Sequence, residues 1–129
     1  MDQNGRSSPR PRAVVPETLE VNIRREGQVT VVQLIGELCL ASAALLERRL
    51  EEILQTDLEE LIIDMRELSF LDSTAIRLLL TLDERAEVEG WSFAIAPGSG
   101  GPRRTLELVG LEHRPRRIAA DDARLQSLA

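Results

Sequence analysis

The chain has 129 residues, 43% hydrophobic and 29% charged, with a formal net charge of -6 at pH 7. That is one domain around a single core, and the composition excludes wholesale disorder, collagen-like repeats and a disulfide scaffold. All 16 basic residues are arginine, which removes a P-loop lysine and Schiff-base chemistry. One cysteine, Cys39, and one histidine, His113, supply neither an internal disulfide nor a Cys/His zinc site. Phe70, Trp91 and Phe93 are the only aromatic residues, so a base-stacking platform is not expected and direct nucleic-acid binding with it. No apolar run reaches the roughly 18 residues of a membrane span, and MDQNGRSSPRPR lacks the apolar stretch of a signal peptide. A cytoplasmic protein without membrane insertion is expected.

The charge is uneven. Five Arg against four Asp or Glu give +1 over residues 1 to 36, five against fourteen give -9 over 37 to 89, and six against four give +2 over 90 to 129. A solvated acidic face accounts for the middle segment, and a field of that size also steers basic partners.

Residues 1 to 16 are rich in Pro, Arg, Ser and Gly, and the spacing of Pro9, Pro11 and Pro16 forbids a helix or central strand. They are expected to be a disordered tail ahead of a domain at 17 to 129. Leu19, Val21 and Ile23 alternate with polar residues, and after a turn at Glu26-Gly27 the run Val29 to Ile35 is mostly β-branched and apolar, predicting two strands with the second more buried. Ser42 is placed to cap a helix whose buried face carries Leu46, Leu50, Ile53 and Leu54. Leu58 and Leu61-Ile62-Ile63 predict a short strand covered on both faces.

Asp72-Ser73-Thr74 stands directly before an apolar helix that runs to Gly90. Short polar side chains there accept hydrogen bonds from the unpaired N–H groups of a first helical turn, and either Asp72 or Ser73 could be the cap. The same junction lies near the carboxyl end of the sheet, where open α/β folds place their sites and a helix N-terminus tolerates phosphate. Trp91 to Ala96 reads as a buried strand and residues 97 to 102 as a loop. A short helix at about 103 to 109 ending at Gly110, an edge strand near Arg117-Ile118 and a last helix from Asp121 or Asp122 complete the chain. The alternation predicts one small α/β domain with a mixed, largely parallel sheet of four to five strands and about four helices.

The loop from Gly98 to Gly101 follows a strand and precedes a helix, but it lacks the third glycine of a dinucleotide fingerprint and the lysine of a P-loop, so an ordinary connection explains it. His113, among Arg114, Arg116 and Arg117, reads as a surface histidine. No Gly-x-Ser-x-Gly signature supports a hydrolase triad with Ser73.

Leu34-Ile35-Gly36-Glu37-Leu38 resembles the first motif of the STAS-domain family, and Leu68-Ser69-Phe70-Leu71-Asp72-Ser73-Thr74 resembles the phosphorylation motif of its bacterial anti-sigma factor antagonists. Ile62-Ile63-Asp64, Gly90 before Trp91, and Leu106 to Leu111 match in the same order, so the similarity runs from about residue 19 to residue 128. The resemblance implies a non-enzymatic binding switch without a cofactor. Ser73 would be the phosphorylated serine, with Thr74 as the adjacent fallback. The partner would be an anti-sigma factor that is also a serine kinase of GHKL type, ATP being bound by that kinase. The implied partner surface comprises Gly36, Glu37, Leu38, Cys39, Asp72, Ser73, Thr74, Ala75 and Arg77, with a loop at Gly36 to Cys39, and it leaves room for a homodimer. Ala75 stands where the family usually has glycine and Cys39 where it has aspartate. These departures favour a second reading, an accessory STAS subunit of a lipid-transport ABC complex or sensory scaffold. A third, a ligand- or nucleotide-binding module, rests on the Gly98 to Gly101 loop.

Overall fold

The computed structural model describes residues 18 to 111 and 114 to 126. The expected tail at 1 to 16 and the expected surface position of His113 lie outside the described residues. In chain order the elements are strands β1 (Leu19–Glu26) and β2 (Val29–Leu38), helix α1 (Leu40–Leu54), β3 (Glu60–Leu71), α2 (Ser73–Glu89), β4 (Ser92–Ala96), α3 (Gly101–Leu108), β5 (Arg116–Arg117) and α4 (Ala123–Gln126). The five strands lie in the order β1-β2-β3-β4-β5. β1 is antiparallel to β2 and every other pair is parallel, which is the mixed, largely parallel sheet expected from the sequence.

Strand alternation sends successive side chains to opposite faces, and each face has its own core. On one face Val32, Leu34, Leu61, Ile63 and Met65 pack with Leu46 and Leu50 of α1, Leu79 and Leu82 of α2, and Leu106 of α3. On the other, Val31, Ile62, Ala94 and Ala96 form a smaller cluster covered by Leu125 of α4. The run Leu61-Ile62-Ile63 is therefore buried from both sides, as expected of a central parallel strand. The second face is closed largely by charge. Glu60 accepts from Arg124 Nη1 at 2.5 Å and also pairs with Arg116, while Arg66 Nη1 donates to the carbonyl of Ala120 at 3.0 Å.

Several boundaries differ from expectation. β3 continues six residues past Met65 to Leu71, although only Leu68 and Leu71 of that extension are buried. Its partner β4 ends at the Asp64–Ala96 pair, so residues 66 to 71 pair only with β2 and need no apolar pattern on both faces. Helix α1 begins at Leu40 with Cys39 as N-cap, so Ser42 is the third helical residue and not the cap. The segment expected to be a loop at Gly36 to Cys39 is the end of β2 as far as Leu38. α3 starts at Gly101, two residues early, behind Gly100 as N-cap. β5 is Arg116–Arg117, and α4 starts at Ala123, with Asp122 Oδ1 accepting the Arg124 N–H at 2.9 Å.

Candidate functional site

β2 and β3 end side by side, Leu38 opposite Leu71, and each is followed within two residues by a helix. The N-termini of α1 and α2 therefore emerge together at the carboxyl end of the sheet, bringing two sets of unpaired N–H groups and two positive dipole ends to one place. Asp72 joins them. Its backbone is extended, its N–H donates to the Leu38 carbonyl at 3.3 Å, and it is the N-cap of α2. Oδ1 accepts the Ala75 N–H at 3.2 Å and Oδ2 accepts the Leu40 N–H at 3.0 Å. Of the two capping candidates at this junction, Asp72 is the cap.

The neighbouring chain is fixed by small polar side chains. Ser42 Oγ accepts the Cys39 N–H at 3.1 Å and donates to the Glu37 carbonyl at 2.8 Å, from a position only 2% exposed. Ser69 Oγ donates to the Gly36 carbonyl at 3.0 Å. Gly36 has φ +112, and the Glu37 N–H donates to the Thr18 carbonyl at 2.6 Å.

Of the nine residues singled out from the sequence, Glu37, Ser73 and Arg77 are exposed, and Gly36, Cys39, Asp72 and Thr74 are half-buried. Leu38 and Ala75 are fully buried, so their side chains position this end of the domain and are not presented at its surface. Ser73 is the first residue of α2, with Arg77 one turn further along.

Two residues that sequence reasoning missed stand beside them. Leu40 is 75% exposed and Phe70 48% exposed, large apolar side chains next to the Asp72 junction. The signal for Leu40 was its place outside the stripe of Ala43, Leu46, Leu50 and Ile53. Phe70 carried no such signal. Gly36 pairs with Leu68 and Glu37 with Phe70, so Ser69 is an extra residue that resets the alternation, turning Leu71 inward and Phe70 outward.

Chemically, this end of the fold offers an exposed hydroxyl at a helix N-terminus and an apolar rim. Among the described residues there is no histidine or lysine to act as a base, and no group of three or more His, Cys, Asp or Glu that could hold a metal ion. The Gly98 loop has a packing role: at φ +69, a Cβ on Gly98 would lie 2.9 Å from the Cα of Arg66. No helix among the described residues is long and apolar enough to cross a membrane.

Fold and site together define a small mixed-sheet α/β domain with two helix N-termini joined at one end. A family model for the STAS domain matches residues 20 to 121, and the chain belongs to that family. It is 27% identical over 97 residues to the anti-sigma-F factor antagonist RsfB of Mycobacterium tuberculosis, covering 75% of this chain and 79% of that protein. The solved structure of the anti-sigma factor antagonist SpoIIAA in its unphosphorylated form superposes with a TM-score of 0.70 at 19% identity, covering 84% of this chain and 95% of that one. An anti-sigma factor antagonist from Mycobacterium paratuberculosis superposes with a TM-score of 0.67 at 24% identity, covering 88% and 97%.

Proposed function

We propose that this chain is an anti-sigma factor antagonist, a protein-binding switch without catalysis of its own, controlled by phosphorylation of Ser73. The observation that carries the reading is the exposed Ser73 hydroxyl at the first position of α2, beside the start of α1. The 27% identical relative named as an anti-sigma-F factor antagonist supports it. In the unmodified state the β2 end and the first turns of α1 and α2 bind an anti-sigma factor, which releases a sigma factor for transcription. That partner is also the serine kinase, of GHKL type, and holds the ATP. Phosphoserine adds about -1.5 to -2 charge at pH 7. The helix N-terminus accommodates it, so the domain stays folded while the interface loses complementarity next to Asp72 and Glu37.

The alternative, an accessory STAS subunit, draws its support from Cys39. Ala75 no longer contributes, because its methyl group is buried.

The test is incubation with ATP and candidate kinases, followed by peptide mass spectrometry and binding titration of each variant. Ser73→Ala should abolish phosphate incorporation and preserve anti-sigma binding. Because Asp72 is the cap, this substitution should change stability by no more than about 0.5 kcal/mol. Ser73→Asp should fold and bind poorly, and Thr74→Ala should remain phosphorylatable. Phosphate at another residue, or tight binding by Ser73→Asp, rejects the switch in favour of the accessory subunit.

A further inference from the structure

Cys39 and Ser42 form a neutral capping box at the start of α1, and neither α1 nor α2 has an acidic residue in its first turn. The two positive helix ends share one carboxylate, with one oxygen committed to each: Oδ1 to the Ala75 N–H and Oδ2 to the Leu40 N–H. A cap serving α2 alone would leave its second oxygen in solvent.

We propose that Asp72 is a positioning residue that transmits the state of Ser73 to the start of α1. The proposal rests on the reading of Ser73 as the modified residue and extends it to a second element of the same surface. Negative charge placed on Ser73, the next residue along, repels the Asp72 carboxylate and competes for the N–H groups of the first turn of α2. The two carboxylate oxygens are rigidly linked, so a carboxylate that turns away from Ala75 also withdraws its acceptor from Leu40. The Asp72 backbone stays tied to the Leu38 carbonyl, so the movement is confined to the side chain and to the turn it caps. Leu40, the exposed apolar residue at that turn, loses its fixed position relative to Ser73, and both halves of the surface change although only one is modified.

The measurement is amide hydrogen exchange and chemical shift by NMR on the full chain, for the unmodified protein, Ser73→Asp, Asp72→Ala and Asp72→Asn. The Leu40 amide should shift and exchange roughly tenfold faster in Ser73→Asp and in Asp72→Ala, while the amides of Leu46 and Leu50 in the body of α1 keep their rates. Asp72→Asn, which retains one acceptor oxygen, should release one amide of the Leu40 and Ala75 pair and hold the other. If Asp72→Ala fails to fold, Ser73→Asp and Asp72→Asn carry the test. A Leu40 amide unchanged in Ser73→Asp overturns the proposal even where kinase labelling of Ser73 succeeds. A Leu40 amide that responds to Ser73→Asp in a protein no kinase labels at Ser73 upholds the coupling and rejects only the phosphorylation switch.

Discussion

The carbonyl oxygen of Thr18 occupies the space that a side chain at residue 36 would fill: a Cβ built on Gly36 overlaps it, and φ at Gly36 is +112. Any side chain there must break the contact between Thr18 and Glu37 and also adopt a backbone that L-residues disfavour. Gly36→Ala should cost at least about 2 kcal/mol and lower the thermal midpoint by roughly 10 °C. Gly27→Ala is the control, because Gly27 has φ +65 but open space around it. It should cost only the conformational part, about 1 kcal/mol. Equal losses in thermal melts of the two variants would show that the Thr18 contact contributes nothing.

Asp64 is fully buried and held by Arg66, with Nε to Oδ1 at 2.9 Å and Nη2 to Oδ2 at 2.9 Å. The Asp64 hydrogen bonds hold the Arg66 guanidinium above its ordinary pKa. The partners are not equivalent, because the Arg66 side chain is 27% exposed and that of Asp64 is not exposed at all. Arg66→Met strands a buried carboxylate and should cost about 3 kcal/mol. Asp64→Asn leaves a guanidinium that water still reaches and should cost distinctly less. Urea unfolding of both variants checks the order, and the reverse order would contradict it.

Cys39 and Ser42 reverse the roles that their positions suggest. The thiol at the N-cap of α1 is replaceable, so Cys39→Ser should leave the melting temperature and partner binding nearly unchanged. Ser42 joins Cys39 to Glu37 from a buried position, so Ser42→Ala strands the buried polar groups it now pairs and should cost about 1–3 kcal/mol. Differential scanning calorimetry of the two single variants should separate them clearly.

Hydrogen bonds from the Arg124 side chain and backbone pull the Asp122 carboxyl down to about 2 from 3.8. Between those values the unfolded chain binds more protons at this residue than the folded one, so stability rises with pH across the window. The stabilisation is complete above the unfolded value and is lost as pH falls through the folded one. Melting temperatures of the unmodified protein and Asp122→Asn should therefore differ by a constant amount above about pH 5 and converge towards pH 2. A gap that persists undiminished at pH 2 would mean that charge at Asp122 is not its source.

Sequence by itself determined the alternation of strands and helices, the doubly buried run Leu61 to Ile63, and the polar junction at Asp72-Ser73-Thr74. Each rests on local periodicity or on the capping chemistry of neighbours in the chain, which short-range pattern expresses directly. The extension of β3 to Leu71, the outward turn of Phe70 and the start of α1 at Leu40 were not legible. The first two depend on where β4 stops and on a register slip against β2, and the third on a hydroxyl at Ser42 that bonds backward to Cys39 and Glu37. Tertiary structure alone decided that Asp72 caps two helices: its second bond reaches Leu40, thirty-two residues earlier in the chain. No periodicity encodes that contact, because it exists only once β2 and β3 pair in parallel and bring both helix starts to the same end of the sheet.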